Sequence, residues 1–444
     1  MLFLSIDFGT SSVKVSILDE GRNLLQTSKE DYPYILLPGE KVEIAPEALF
    51  EALRQAASRL DPRLAASVEM LCYCTFSPSP VLMRGDGSLC YPNIITHLDR
   101  RSRAQSGTIL EKVGRERFLQ ITGFYPFAGG AGVMTLLWFM ENEPDALADL
   151  HCFGHLPTYI HHRLTGEWMT DRVNASMTGL YDTVTQSGWS QELLDKLSIP
   201  SRWLAPIRQP GTVLGALLPR AASLLGLRPR IPVTAGTNDM AAAQAGAGNF
   251  TAGCIMDTAG SSDMVSILTD KPVVHPRYYL RNSALPGIWQ IYATTAGGFA
   301  LDWFREQFCR EMSREHFYGD YLARVIDRWP REGEVIFDPY LTGDRQSMEK
   351  RTGAWHGLTL SATREEMLAA MLRSMNRVLY ETIQEASKIQ PLKDVIQLAG
   401  GMSDEKFIQL KMREIPGYRF EVVDNCSTLG NVALAQHFMN NGRK

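Results

Sequence analysis

The chain opens on an apolar run, Leu2-Phe3-Leu4-Ser5-Ile6, that ends in Asp7, turns through Gly9, Thr10, Ser11 and Ser12, and leaves on Val13-Lys14-Val15-Ser16-Ile17-Leu18. An apolar strand, a turn of small residues and a second apolar strand predict a β-hairpin. The same pattern is written again 250 residues later, where Asp257 to Leu268 matches Asp7 to Leu18 at seven of twelve positions. Small turn residues leave backbone N–H groups and hydroxyls open to an anion, so each hairpin reads as a phosphate cradle. Two facing cradles would clasp one nucleotide.

Between the copies the pattern alternates between helix and strand. Ala45-Pro46 opens a helix with Leu49, Phe50, Leu53, Ala56 and Leu60 on one face, and Pro stands near its first turn. Val68 to Phe76 is continuously apolar, the mark of a buried strand, and breaks into Ser77-Pro78-Ser79. Open α/β sheets hold ligands at such carboxyl ends of strands. Thr96 to Arg101 follows another strand, and there Asp99 and Arg100 read either as contacts for a polyhydroxy ligand or as a helix N-cap and a solvated Arg. Val133 to Ser198 reads mostly as helices, and 200–232 as Pro-rich connection. Val233 to Thr237 then predicts a strand whose turn carries Asp239, which reads either as a helix N-cap or as an acid at a ligand cleft, ahead of a helix of small residues, 240–248, that suggests two elements pressed close around that cleft.

The second half repeats the plan. Thr295-Ala296-Gly297-Gly298 turns into a helix, and Ile336-Phe337-Asp338 breaks into a polar loop that runs to Arg345. Thr363-Arg364-Glu365-Glu366 is a capping box at the head of a long helix with a wide apolar stripe from Met367 to Ile383. Val395 to Leu398 is a buried strand that ends in Ala399-Gly400-Gly401-Met402-Ser403, and Phe420 to Val423 leads through Thr428-Leu429-Gly430-Asn431 to a last helix.

At 444 residues the chain predicts two domains or at most three, and the doubled hairpin favours two. Its 45% apolar and 21% charged residues describe a globular protein, and a net charge of −4 gives no electrostatic footprint for nucleic acid or an anionic membrane. A small soluble substrate is therefore expected. The N-terminus has no basic leader, no apolar run reaches ~18 residues, and seven scattered cysteines suit a reducing cytoplasm, so the expected location is cytoplasmic. Cys72 and Cys74 share a strand face and read as core, and the nine histidines form no metal motif. No P-loop, no dinucleotide fingerprint beyond a bare G-x-G and no G-x-S-x-G elbow occurs.

Taken in order, these segments resemble the FGGY carbohydrate kinases, which include xylulokinase, glycerol kinase and gluconokinase. Asp7 to Lys14 is similar to the family's first phosphate motif, and Ala235-Gly236-Thr237-Asn238-Asp239 to the segment that carries its catalytic base. Asp257 to Ser262, Asp338 to Arg345, Ala399 to Ser403 and Leu429-Gly430 fall where the family has its second phosphate, sugar-side and adenosine motifs. Two departures concern the sugar: Phe76-Ser77-Pro78-Ser79 stands where relatives carry a pair of polar or charged residues, and Leu98 where they carry an aromatic before the Asp.

The resemblance implies α/β architecture with two RNase H-like domains of the actin/hexokinase superfold around a central cleft. Residues 1–246 would form the sugar-binding domain, with the first hairpin and the base, and 247–444 the domain with the second hairpin and the adenosine site. It implies ATP and Mg²⁺ as cofactors and transfer of the γ-phosphoryl group to a hydroxyl of a small sugar or polyol, a ketopentose such as xylulose first. Asp239 would be the general base. Asp7 and Asp239 would hold the metal through water. Gly9, Thr10, Ser11, Lys14, Gly260, Ser261 and Ser262 would take the phosphates, and Gly400, Gly401 and Met402 would bed the adenosine. Ser77, Asp99, Arg100 and Asp239 would line the sugar site. A homodimer is compatible with the chain. The competing reading on the same superfold is an ATP-binding clamp or sensor, or an inactive kinase-like protein.

Overall fold

The computed structural model describes residues 1–328, 335–341 and 351–441, so Thr342-Gly343-Asp344-Arg345 of the expected sugar-side loop lies outside the described residues. The chain forms two compact units: one of Met1–Phe250, Leu280–Trp289 and Asn425–Lys444, the other of Thr251–Tyr279 and Gln290–Asp424. The first break falls near the expected boundary at 246/247. The difference lies at the C-terminus, whose last helix, Cys426–Asn441, packs in the first unit although the sequence reading placed it in the second.

In the first unit the sheet runs Val213–Ala216, Pro232–Thr234, Val68–Thr75, Leu2–Phe8, Ser12–Leu18, Leu24–Asp31, and Thr237–Asn238 pairs with Val68–Thr75 off this path. Leu2–Phe8 and Ser12–Leu18 form the expected antiparallel hairpin, with Asp7 opposite Lys14. Alternation along the strands explains how both faces are covered. Leu4, Ile6, Leu71 and Tyr73 lie in one core with Leu49, Leu53 and Ala56 of helix Pro46–Ser58. Phe3, Leu18, Met70 and Cys72 face the opposite way and meet Val432 and Ala435 of the last helix. That helix is pinned by its own polar groups: Ser5 Oγ donates to Thr428 O at 2.8 Å, and Asn431 Nδ2 donates to Ser5 Oγ at 3.1 Å and Ile6 O at 3.2 Å.

The small residues of helix Asp239–Gly246 are explained by the same neighbour. A Cβ on Gly246 would stand 1.9 Å from Cys426 O, and one on Gly430 would stand 1.7 Å from Ala242 O. The two helices therefore cross backbone against backbone. The sequence assigned this closeness to a ligand, whereas the structure assigns it to a helix crossing.

The second unit repeats the plan, with five strands of its sheet in the order Trp289–Ala296, Ser262–Thr269, Ile255–Ala259, Val395–Ala399, Arg419–Val422. Ile255–Ala259 and Ser262–Thr269 are the second antiparallel hairpin, and Val395–Ala399 runs parallel to Ile255–Ala259, as Val68–Thr75 does to Leu2–Phe8. The expected capping box at Thr363 is formed, and helix Arg364–Ile389 lays Leu368, Met371, Leu372 and Met375 into the core of this unit.

Candidate active site

Three parallel strand ends lie in register in the first unit: Asp7 pairs with Cys74, which pairs with Thr237, and one step on Phe8 pairs with Thr75, which pairs with Asn238. Just past them come the Gly9 turn, Ser77 and Asp239. Asn238 is the N-cap of helix Asp239–Gly246, its Oδ1 accepting from Met240 N at 3.1 Å and Ala241 N at 3.4 Å. Asp239 is thus freed from the capping role that its sequence context also allowed. It accepts two bonds on one oxygen, Oδ1, from Met240 N and Asn238 Nδ2, each at 2.8 Å, so Oδ2 stays outside them.

Burial, and then the charge of Asp7, push the Asp239 carboxyl up to about 7, against the opposing pull of the Met240 N–H, the Arg281 guanidinium and Asn238. That suits a general base near neutral pH. Asp7 accepts from Ser427 Oγ at 2.5 Å and from the Cys74 thiol at 3.5 Å. Cys74 is buried, and burial followed by the Asp7 and Asp239 charges raises its thiol well above the usual range, so it remains a neutral S–H donor. The sequence placed Cys74 in the core; its alternation with Cys72 was legible, but not that its face ends at an acid. Among the described residues no group of three or more His, Cys, Asp and Glu is arranged to hold a metal. Two carboxyl groups, Asp7 and Asp239, close enough that the charge of one is felt by the other fit a hard divalent cation that keeps most of its water.

Around Asp7 the first turn is tied by Gly9 N donating to Ser12 O at 2.9 Å, by Tyr32 N donating to Ser11 O at 3.0 Å and by the Tyr32 hydroxyl donating to Gly9 O. Thr10 and Ser11 are exposed at its tip. Lys14 Nζ reaches Asn425 Oδ1 at 3.5 Å, beside the head of the last helix.

In the second unit Gly260 N closes the corresponding turn onto Ser262 O at 3.0 Å, and Gly298 N and Phe299 N donate to Gly260 O and Ser261 O at 2.8 and 3.1 Å. Gly400 adopts φ +106°, and a Cβ there would stand 2.4 Å from Ala259 O, so only glycine lets this turn lie against the cradle. Gly401 is exposed beside it. Met402 corrects the expectation: its side chain belongs to the core of the unit and its N–H donates to Ala259 O at 2.9 Å, so it supports the turn from behind and offers no surface to an adenosine. The acid that the duplication copies has also changed its work. Asp257 is buried with Asp263 against Lys411, at 2.8 and 3.0 Å, and burial together with the Asp257 charge raises Asp263 well above the carboxylate range.

Asp99 and Arg100 are the larger correction. Asp99, only 2% exposed, accepts from Val42 N at 2.8 Å, Arg101 N at 3.0 Å and Arg101 Nη2 at 2.8 Å. Arg101 also pairs with buried Glu43, whose carboxylate takes Tyr91 Oη and Asn93 Nδ2 at 2.6 Å each; burial would raise Glu43, but these bonds hold it below the usual range. Arg100 Nη1 donates to the carbonyls of His97 and Asp99, at 2.6 and 3.0 Å. The alternation Asp-Arg-Arg hid which arginine turns inward. Asp99→Ala is therefore expected to cost about 3 kcal/mol, as removal of one partner from a buried pair does, with the sugar KM unchanged. Thermal melting and steady-state kinetics of that one variant check it; a sugar KM raised tenfold or more at an unchanged melting temperature would return Asp99 to the site.

What the sequence reading missed on this side is a buried chain. Ser77 Oγ donates to Asn174 Oδ1 at 2.6 Å, Asn174 Nδ2 donates to Asp171 Oδ2 at 2.5 Å, and Thr237 Oγ1 donates to Asp171 Oδ1 at 3.0 Å. It links the loop after one strand to the residue two before Asp239. The only signal was the short polar run Asp171-Arg172-Val173-Asn174 ahead of a helix, which reads equally as a cap, and Asp171 does cap helix Arg172–Thr178.

Residues 2–246 match the N-terminal domain of the FGGY family of carbohydrate kinases. The chain is 26% identical over 417 residues to a xylulose kinase of Lactococcus lactis, covering 92% of this chain and 82% of that protein, and 25% identical over 454 residues to a glycerol kinase of Thermococcus kodakarensis, covering 97% and 87%. Among solved structures, xylulose kinase from Rhodospirillum rubrum superposes with a TM-score of 0.88 at 21% identity, over 99% of this chain and 90% of that one. At that identity the likeness shows a shared fold, the two-domain α/β architecture of the actin/hexokinase superfold.

Proposed function

This chain belongs to the FGGY family of carbohydrate kinases, and from that premise we propose that it transfers the γ-phosphoryl group of ATP to a hydroxyl of a small sugar or polyol, with a ketopentose such as xylulose the favoured acceptor. The observation that carries the reading is the pair Asp7 and Asp239, one at the end of a strand and the other just past the end of a second, both strands flanking Val68–Thr75, with Asp239 held at about 7. A carboxylate poised at that value favours proton transfer over a clamp that only binds nucleotide.

Asp239 takes the proton of the attacking hydroxyl as its oxygen bonds to the γ-phosphorus, and the bond from that phosphorus to the bridging oxygen breaks, its electron pair leaving with ADP. Asp7 and Asp239 would hold Mg²⁺ through water, which supplies charge neutralisation at the phosphates. Thr10, Ser11 and Lys14, with the Gly9 turn, would take phosphate oxygens in the first unit, and Gly260, Ser261 and Ser262 in the second, where Gly400 and Gly401 would bed the adenosine. Ser77 would face the sugar.

Because the Asp239 pKa is raised, the base is charged only above about pH 7. The free-enzyme profile of kcat/KM should fall tenfold for each pH unit below that value and level off above it. A profile flat from pH 5 to 8 would remove Asp239 from proton transfer. The reading as a whole is tested by incubating the protein with ATP, Mg²⁺ and a panel of ketoses, aldoses, polyols and sugar acids: ADP release should depend on one of these compounds, and release indifferent to all of them would favour the clamp.

A further inference from the structure

The relatives of this chain include kinases named for neutral sugars and polyols and others named for gluconate, an acid, and the buried chain behind Ser77 bears on that choice. Among the described residues every hydrogen-bond partner of Asp171 is a donor: Val173 N at 2.9 Å, Asn174 N at 3.3 Å and Thr237 Oγ1 at 3.0 Å on Oδ1, and Asn174 Nδ2 at 2.5 Å on Oδ2. Burial raises this carboxyl and the same bonds oppose the rise. A carboxylate that takes three donors on Oδ1 presents Oδ2 as an acceptor, which orients the Asn174 amide: its NH₂ points at Asp171, and its oxygen therefore points the other way. That oxygen is where the Ser77 hydroxyl donates, at 2.6 Å. Asn174 is held this way round by those partners, fully buried beside His155, a neutral ring that burial pulls down to about 3.

A serine has one proton to give. With that proton committed to Asn174, the Ser77 oxygen has only lone pairs left for anything outside the chain. Ser77 is half-buried, two residues past the strand end that pairs with Asn238, so its outward face is at the same sheet edge as Asp239.

We propose that the Asp171–Asn174–Ser77 chain makes Ser77 an obligate acceptor in the sugar site, so that the enzyme selects a neutral substrate presenting a hydroxyl there and rejects an aldonic acid, whose carboxylate would set lone pair against lone pair. The inference rests on the kinase reading and on Ser77 lining its sugar site. It adds a polarity rule and a means of reversing it. Asp171→Asn changes one atom at the Oδ2 position: the amide oxygen keeps the three bonds on Oδ1, while the new NH₂ faces Asn174. The Asn174 amide then flips, its NH₂ donates to Ser77 Oγ, and the Ser77 proton is released toward the site as a donor.

The experiment compares kcat/KM for neutral ketoses, aldoses and polyols with that for aldonic acids of equal chain length, in wild type, Asp171→Asn and Ser77→Ala. Wild type should prefer the best neutral compound by at least ~100-fold, a discrimination within reach of a site with a fixed buried polar group. Asp171→Asn should narrow that ratio at least ~10-fold, chiefly by a gain on the acid, and Ser77→Ala should narrow it by loss on the neutral substrate. Equal use of acids by wild type, or a ratio unmoved in a folded Asp171→Asn protein, overturns the proposal. Should Asp171→Asn fail to fold, the ratio in Ser77→Ala decides alone. If nothing is phosphorylated, the kinase reading fails, and calorimetric binding of the same pairs of compounds still judges the polarity rule: binding without preference for the neutral member, or no binding of either, overturns it.

Discussion

Asp239→Asn is expected to lower kcat by 10²- to 10⁴-fold, roughly the worth of a general base in a phosphoryl transfer of this kind, and to leave ATP binding in place. The substitution conserves shape. An Asn oxygen can keep the bonds from Met240 N and Asn238 Nδ2 that orient the native side chain on Oδ1, so the loss falls on proton transfer and on any share in holding the metal, with little change to the fold. The linkage adds a signature. The native carboxyl is raised from 3.8 to about 7, so between these values the folded state keeps a proton that the unfolded chain has released. Stability from this group is therefore lost as pH rises through that window, and Asp239→Asn, which has no proton to lose, should melt higher than wild type at pH 8 and no higher at pH 4. Stopped assays with calorimetric ATP binding, and melting curves at the two pH values, check both halves. An Asn variant within threefold of wild type in kcat would remove Asp239 as the base.

Gly430→Ala is expected to destabilise the protein by at least ~3 kcal/mol, the upper range for overpacking, and to reduce kcat with it. In an ordinary helix the sign is the reverse, since Ala is favoured over Gly by roughly 0.5–1 kcal/mol. Here the added methyl would stand 1.7 Å from Ala242 O and 2.5 Å from Ala242 C, both backbone atoms that no rotamer change can move. Relief requires helix Asp239–Gly246 to shift away from the last helix, and Asp239 is its first residue. Gly107→Ala is the control. That glycine lies in helix Gln105–Lys112 with nothing within 4 Å of the added carbon, and its substitution should be neutral or stabilising. Melting temperatures of the two variants side by side test the assignment, and equal values would refute the tight crossing.

How far the sequence carried the structure depends on which kind of pattern each element rests on. The hairpins were legible because alternation, a turn of small residues and a second copy all point one way, but their registers were not: Asp7 faces Lys14, whereas Asp257 faces Val265, one residue beyond the copy of Lys14. The capping box at Thr363 was legible because its signal is local. Three other things were not, and each depends on a partner distant in sequence. The small residues of 240–248 announce a close approach but not what approaches, and the partner, Gly430, is more than 180 residues on. Asp99 beside Arg100 and Arg101 looks the same whether it meets a sugar or a Glu43–Arg101 pair, because Glu43 is invisible to a local reading. The chain Ser77–Asn174–Asp171–Thr237 joins three segments that carry no common motif.

The duplication also shows what a copied residue is free to do. Asp7 and Asp257 hold equivalent places at the ends of equivalent strands, yet one meets Ser427, Cys74 and the field of Asp239, while the other is buried with Asp263 against Lys411. Identity of sequence at the two hairpins therefore predicted the strand–turn–strand shape and not the chemistry. The difference was written beside them, in Val13 against Asp263, which gave the second copy a carboxyl to share a buried lysine with.

The central claim, that this chain moves a phosphoryl group to a sugar with Asp239 as base, is tested most directly by following the γ-phosphorus. With ATP labelled at that position, wild type supplied with its preferred neutral sugar should place the label in a sugar phosphate, one per ADP released, and Asp239→Asn should slow that transfer at least a hundredfold. Label recovered as inorganic phosphate at the same rate with and without sugar, in wild type and Asp239→Asn alike, would contradict it.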